Sequence, residues 1–369
     1  MFSFVLCETL FENEMKISDL KNVESWIRSQ RLRLSVCRRD SWMVKQLHLP
    51  ELTAQELAEV NTAWPWIKVS KRDLIWIRLY KKYYGFNPNY ITDYQLQPIL
   101  KKFNPYKQVV SLQNKAMCDI YFPNIPFPKN YIKCIGGELW GAGQHLTVEE
   151  SVKYLIDQQI TEFIIKPSVE SGCGRGVKKV NISDMNDSFL GVKKLLLSYG
   201  QDFVVQEVLK QHPKMERLNP SSVNSCRITT LFFGGTFSYS SILKVGKLGS
   251  YVDNWHSSYL VGMNSNGSLK NYGFDNRLNP VAKSDNGVVF QGFVVPCFEK
   301  MVAAVKSFHQ KYFLNCGIIG WDIIVDSNEE IKVIEINLDS PGVVGEQFCS
   351  GTFFEEHKDF INNKFRLNS

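Results

Sequence analysis

Near its C-terminal end the chain alternates apolar and polar positions on either side of a polar turn. Gly317-Ile-Ile-Gly-Trp-Asp-Ile-Ile-Val325 is one arm and Ile331-Lys-Val-Ile-Glu-Ile-Asn337 the other. The pattern predicts a β-hairpin. With its turn at Asn328-Glu329, Asp322 faces Glu335, and Asn337, two residues on, shares that face. Similar period-two runs predict strands at Glu162–Pro167, Val177–Ile182, Phe203–Leu209, Cys226–Phe233 and Thr236–Lys244. Helical spacing recurs at Met301, Val305, Phe308 and Tyr312, with Pro296 placed for a first turn. Thr53-Ala-Gln-Glu56 and Thr147-Val-Glu-Glu150 are capping boxes, the second opening a helix that runs to about Gln158. Ser70, with Asp73 three residues on, caps a helix that stops at Gly85. Residues 114–122 and 190–198 read as helices, and 246–287, rich in Gly, Asn and Ser, as containing a loop.

Composition narrows the class. The 369 residues are 44% hydrophobic and 22% charged, an ordinary globular balance with room for several domains. No apolar run reaches the length of a membrane span. Met1–Phe11 is short, lacks a basic lead and does not read as a signal peptide. Nine scattered cysteines, with no Cys-x-x-Cys pair, imply neither a disulfide framework nor a zinc site and fit a reducing cytoplasm. Charge is uneven: residues 1–110 hold 17 Lys+Arg against 11 Asp+Glu, and 111–369 hold 26 of each. Arg28, Arg31, Arg33, Arg38 and Arg39, flanked by Trp26 and Trp42, form a basic cluster. That cluster is either a solvated helix face or a surface for phosphates or an anionic membrane. No nucleic-acid motif accompanies it, so no nucleic acid is expected.

The chemistry concentrates in a few segments. Asp322, Glu335 and Asn337 bring two carboxylates and an amide together, an oxygen-only set that suits Mg²⁺ with phosphate oxygens; the bland alternative is an edge hairpin whose acids face water. Lys166 ends a strand just before Ser171-Gly-Cys-Gly-Arg-Gly176, whose glycines let backbone N–H groups approach a phosphate. The following Val-Lys-Lys-Val-Asn-Ile alternates like a strand, which argues against a dinucleotide fold, where a helix must follow. No Gly-Lys-Ser/Thr closes the loop, so it is not a Walker loop. A flap between antiparallel strands fits, with an ordinary glycine hairpin as the alternative. Arg227 lies within an apolar strand and Lys244 ends the next, and both need anions. His212 and His256 read as structural, and Cys173 has no histidine partner in sequence.

Taken together the segments resemble the ATP-grasp superfamily, in the branch associated with sugar transfer and polysaccharide assembly. The resemblance rests on Ile165-Lys-Pro167, the loop 171–177, Val205-Gln-Glu-Val-Leu-Lys-Gln-His-Pro213, Ser222-Val-Asn-Ser-Cys-Arg227, Tyr251-Val-Asp-Asn254, Gly320-Trp-Asp322 and Glu335-Ile-Asn-Leu-Asp-Ser-Pro-Gly342. It implies an α+β fold with two lobes sandwiching ATP: lobe one about 111–205, a hinge at 206–209 and lobe two about 210–369. A mainly helical basic region, 1–110, precedes them. By the resemblance, Lys166, Ser171, Gly172, Gly174, Gly176 and, less directly, Lys115 touch the phosphates. Glu207 and Val208 present backbone to adenine. Asp322, Glu335 and Asn337 hold Mg²⁺, with Mn²⁺ as a substitute. Arg227 and Lys244 neutralise a γ-phosphate or acyl phosphate, and Asp253 and Asn254 lie on the acceptor side. Two departures stand out: Cys173 occupies a position where a small residue is common, and the N-terminal third does not read as the usual βαβ lobe. The implied function is a carboxylate–amine ligase working through an acyl phosphate, on small carboxylate and amine substrates that include sugar-linked ones. A phosphotransferase, or a nucleotide-binding scaffold docking on a membrane or a glycosyltransferase, is the alternative.

Overall fold

In a computed structural model, residues 42–169, 174–250 and 257–366 are described. The basic cluster at 28–39, Ser171, Gly172, Cys173, Asp253, Asn254 and His256 lie outside them. The chain divides into two compact units, and the first comprises 42–63 and 68–88 of the described residues. It holds α1 (Ala54–Ala63) and α2 (Lys71–Tyr84). Both expected caps form. Glu56 N–H donates to Thr53 Oγ1 at 3.1 Å while Glu56 Oε2 accepts from Thr53 N–H at 2.7 Å. Ser70 and Asp73 make the same reciprocal pair, and Gly85 ends α2. Arg78 then donates to the carbonyls of Leu49 and Pro50 and pairs with Glu51. That cation ties α2 to the segment preceding α1, inside the same unit.

The second unit, residues 64–67 and 89–369, is mixed α/β. It begins with α3 (Asp93–Phe103) and continues through short turns. Residues 114–122 were expected to form one helix. Only Cys118–Tyr121 is helical, because Asn114 Oδ1 accepts from Ala116 N–H and holds a turn there instead. Among the described residues thirteen strands follow, in two antiparallel sheets. The first sheet runs β3-β2-β1-β6-β4-β5, from β1 (Asn130–Ile135), β2 (Glu138–Gly141), β3 (Gln144–Leu146), β4 (Glu162–Pro167), β5 (Lys178–Asn181) and β6 (Phe203–Gln206). Helices α4 (Val148–Asp157) and α5 (Ser188–Ser198) cover one face, and Val152, Leu155, Val192 and Leu196 join Phe163, Ile165 and Val205 in its core.

The second sheet runs β11-β10-β9-β8-β7-β12-β13. Its strands are β7 (Ser225–Phe233), β8 (Thr236–Gly246), β9 (Ser258–Met263), β10 (Leu269–Phe274), β11 (Pro280–Val281), β12 (Ile318–Val325) and β13 (Ile331–Asn337). The loop expected within 246–287 therefore contains three strands. Its Gly, Asn and Ser residues serve tight turns such as 264–267, where Asn264 N–H donates to Ser268 O and Gly267 takes φ +78°. Helix α6 (Phe298–Tyr312) packs its Met301 and Val305 under β7 and β12. Pro296 lies just before it, and Cys297, in left-handed backbone, is the N-cap. Helices α7 (Val343–Ser350) and α8 (Lys358–Arg366) close the chain, α7 lying against β8 and β9. Among the described residues no helix is long and apolar enough to cross a membrane.

The β12–β13 hairpin carries a feature the alternation alone hides. From its turn outward, Val325 pairs with Ile331 and Ile323 with Val333, a register that would set Asp322 against Ile334. A bulge intervenes, and Asp322 instead pairs with Glu335 and Gly320 with Asn337. The extra residue inverts the strand's faces. Before the bulge Ile331 and Val333 enter the core; after it Ile336 and Leu338 do, which turns Glu335 and Asn337 to the opposite face. The sequence marker is the adjacent apolar pair Val333-Ile334.

Asn104 fixes where both arms of this hairpin meet the rest of the unit. Its buried side chain donates to Ile318 O at 2.6 Å and Leu338 O at 2.7 Å and accepts from Gly317 and Ile318 N–H. Gln113 Oε1 takes the N–H of Leu338. Asn104→Ala leaves buried backbone groups unsatisfied at about 1–3 kcal/mol each, so a loss of at least about 2 kcal/mol is expected in urea denaturation. An unchanged midpoint would show that the clamp is dispensable.

Candidate functional site

The second sheet builds one half of the site by register. Arg227 pairs with Asp322, which pairs with Glu335, so three charged side chains stand in a row on one face. Lys244 pairs with Ser225, two residues before Arg227, and therefore joins the same face. Asn337 joins it beside Gly320. Asp322 is almost wholly enclosed, with its side chain 6% exposed. Arg227 grips it as a fork, Nε to Oδ1 at 2.7 Å and Nη2 to Oδ2 at 2.8 Å, and Lys244 Nζ reaches Oδ1 at 2.7 Å. Burial alone would raise the Asp322 pKa, but the Arg227 and Lys244 charges and their hydrogen bonds overcome it and hold the carboxyl well below its usual range. The same pairing raises Arg227 further, against the effect of its own burial.

The first sheet supplies the other half. Along β4, Phe163 and Ile165 enter the core while Ile164 and Lys166 face outward into a cleft of about 500 Å³. Lys115, Gly174, Arg175, Glu207, Val208 and Glu335 line it too. Lys115 spans the cleft: its N–H donates to Ser168 O at 3.1 Å and its Nζ meets Glu335 Oε1 at 2.8 Å. β4 and β5 pair antiparallel, Ile165 with Lys178, and the connection between them includes residues 170–173, which lie outside the described ones. Gly176, at φ +72°, needs its missing side chain: a Cβ would sit 2.9 Å from Pro167 Cγ. Tyr199 Oη holds its carbonyl at 2.9 Å. At the hinge, Glu207 N–H already serves Lys129 O, and Glu207 Oε1 accepts from Lys129 N–H at 2.9 Å. Among the described residues, the N–H groups of Val208 and Leu209 have no acceptor, which leaves them for a ligand's edge. The lip beyond is stiff: Gln211 and Asn224 bridge loops 211–224, and Asn224 Oδ1 also accepts from Gly246 N–H.

Of the residues expected from sequence, Lys115, Lys166, Gly174, Glu207, Val208 and Glu335 thus meet in one cleft. Arg227, Lys244 and Asp322 form a separate ion cluster on the hairpin sheet that does not line it, and Asn337 touches that cluster through Nδ2, 3.4 Å from Asp322 Oδ2. His212 is structural, its Nδ1 accepting from Lys214 N–H at the start of a helical turn. Sequence reasoning overlooked Arg175, visible only as a cation within the glycine loop, and Ile334, which the bulge places in the cleft wall. It also overlooked Glu346. This carboxylate, on α7 and 1% exposed, accepts from Thr229 Oγ1 at 3.1 Å and lies 3.8 Å from Arg227 Nη1. Its Oε2 has no partner among the described residues.

Oxygen donors are present for a hard dication, but not equally open. Among the described residues Glu335 accepts only from Lys115, and Asn337 Oδ1 accepts from none. Among the described residues no three His, Cys, Asp or Glu side chains converge as a metal cluster.

Two antiparallel sheets that share a cleft in this way make the ATP-grasp class of fold. The chain belongs to the family described as sugar-transfer associated ATP-grasp, whose model matches residues 96–358. Among solved structures it is similar to D-cycloserine synthetase DcsG, at 14% identity and TM-score 0.44, over 71% of this chain and 73% of that one. It is similar also to D-alanyl-alanine synthetase A from Vibrio cholerae, at 11% and 0.41, over 69% and 65%. A third is carboxyaminoimidazole ribonucleotide synthase from Aspergillus clavatus complexed with ATP, at 11% and 0.37, over 67% and 51%. The chain thus spans less than two thirds of the second and about half of the third. No curated protein matches the sequence.

Glu346 gives the site a pH signature. Burial raises its pKa from 4.5 to about 7, although Arg227 opposes this. Between those values the native state keeps a proton the unfolded state has lost, so its contribution to stability falls as pH rises. Buried His309, lowered from 6.5 to about 4, acts with the opposite sign over much of the same range. The difference between parent and Glu346→Gln isolates Glu346. The variant is expected to be the more stable at pH 8, the gain shrinking as pH falls toward 4.5, in urea midpoints taken at each pH. A gain independent of pH would refute this.

Proposed function

We propose that this chain is an ATP-dependent carboxylate–amine ligase acting on a sugar-linked substrate. The observation that carries the reading is the Lys115–Glu335 contact of 2.8 Å, which joins a phosphate-type lysine and a metal-type carboxylate within one cleft beside Lys166. In this reading adenine lies against Ile164 and Ile334, with its edge on the hinge backbone at Glu207–Leu209. The phosphates run beneath Gly174 and Arg175 toward Lys115 and Lys166. Mg²⁺, or Mn²⁺ in its place, would be held by Asp322, Glu335 and Asn337; when bound it supplies charge neutralisation to the phosphates.

The reaction needs positioning more than covalent help. A substrate carboxylate oxygen attacks the γ-phosphorus, the bond to the β-phosphate oxygen breaks, and ADP leaves. The amine nitrogen then attacks the acyl carbon, inorganic phosphate departs with the bonding pair, and the nitrogen loses a proton. In this reading Arg227 and Lys244, on the same sheet face as Glu335, would neutralise the charge that builds on the transferred group. The family's association with sugar transfer supports a uronic acid or amino sugar as one substrate and an amino acid or simple amine as the other. The basic segment 28–39 suits an anionic membrane surface, and co-sedimentation with anionic vesicles that weakens with added salt is the expected behaviour.

Two measurements test the reaction. Incubation with ATP, pooled uronic acids and pooled amino acids is expected to yield an amide with ADP and free phosphate in equal amounts. A phosphorylated acceptor without free phosphate would assign a phosphotransferase instead. Lys166→Ala removes a charge-assisted contact worth roughly 1.5–3 kcal/mol, so KM for ATP is expected to rise by about tenfold or more. An unchanged KM would remove Lys166 from the phosphate site.

A further inference from the structure

We infer that one face of the second unit, built from residues 105–122 and the C-terminal end of α6, docks on an anionic lipid surface. The inference does not rest on the ligase reading, because its readouts need neither ATP nor an acceptor.

Two short helical turns, Tyr106–Val109 and Cys118–Tyr121, meet the end of α6 on a shared piece of core. Val109, Cys118, Phe122, Phe313 and Cys316 are buried there, and the Phe122 ring lies 4.7 Å from that of Phe313 and 5.4 Å from that of Tyr312. The outward positions of the same segments are apolar as well. Leu314 is 72% exposed and Tyr106 and Ile120 are each 59% exposed; Val110 and Tyr121 are exposed too. Single apolar residues at a surface need no explanation. Five of them on segments that share one core make a patch, and a patch marks an interaction site.

The charges around it select the occupant. Residues 101–122 and 310–316 carry Lys101, Lys102, Lys107, Lys115 and Lys311 against one acid, Asp119. That acid is already paired: Lys133 Nζ meets it at 2.6 Å and Asn130 Nδ2 donates to it. Lys115 turns to the cleft and Lys102 to the Lys364 carbonyl, while Lys101, Lys107 and Lys311 are exposed. A two-fold contact is self-complementary, so a second copy seated here would set these lysines against themselves. Anionic headgroups complement them instead. Tyrosine, an apolar ring with a polar tip, suits the depth at which headgroup meets acyl chain. Among the described residues no helix can span a bilayer, so the contact is peripheral, with apolar side chains and lysines acting together.

The test sediments the full chain with phosphatidylcholine vesicles, with and without phosphatidylglycerol, and follows amide exchange of the bound protein. The parent is expected to bind the anionic vesicles, less at higher salt, with exchange slowed across 106–122 and 312–316. Ile120→Ser with Leu314→Ser is expected to weaken binding by about tenfold or more, since two apolar side chains no longer enter lipid. Lys107→Gln is expected to weaken it by about fivefold. All three positions are exposed, so the fold is kept. The basic segment 28–39 is intact in every variant, so any binding it provides is common to all of them. Equal binding by parent and variants would overturn the inference, as would slowed exchange confined to other segments. Equal binding to neutral and anionic vesicles would also overturn it. A parent that dimerises in solution, and loses the dimer with Leu314→Ser, would give the face to a second copy instead.

Discussion

A carboxylate buried in the middle of an apolar sheet must bring its own cations, and the arrangement of the second sheet follows from that demand at Asp322. Stripping such a group of water costs several kcal/mol, about what excellent ion-pair geometry can return. The return is available only if β7 lies directly beside β12, so that Arg227 meets Asp322 across one hydrogen-bonded register, and β8 lies one strand further out, so that Lys244 arrives diagonally. The order β8-β7-β12-β13 satisfies both. It also sets Glu335 at the other flank of Asp322, so the row of charges crosses the sheet and ends at the cleft.

The bulge at Ile334 is the second constraint. Without it Glu335 and Asn337 would point into the core occupied by Trp321 and Ile336. The sequence reading paired Asp322 with Glu335 by assuming an unbroken ladder around a turn at 328–329. The structure reaches that pair from a different register, with one extra residue to compensate. A period-two pattern reports which residues share a face only while the ladder is unbroken, and Val333-Ile334 was the sole trace of the break.

Legibility in the rest of the chain followed the range of the interactions. The capping boxes at Thr53, Ser70 and Thr147 were readable because a cap joins residues three apart. The antiparallel pair β4 and β5 was readable because its alternation is local. Strands β9 to β11 were not, since their turn residues are dense enough to mask runs of only two to six residues. Asn104 and Glu346 were invisible for another reason. Asn104 acts on residues more than 200 positions away, and Glu346 matters through Arg227, which meets it only once α7 folds onto the sheet.

The charges on the sheet face also bear on the order in which ligands arrive. Arg227 and Lys244 exceed Asp322 by one positive charge, and burial keeps Glu346 from cancelling it fully near neutrality. Lys115 cancels Glu335. A free dication approaching Glu335 and Asn337 therefore meets a site with no negative surplus, beside a positive one. On the proposed reading a nucleoside triphosphate would reverse that balance, because its phosphates would supply both the missing charge and further oxygen ligands. On the proposed ligase reading, Lys115 would exchange Glu335 for those phosphates, and metal and nucleotide would enter together.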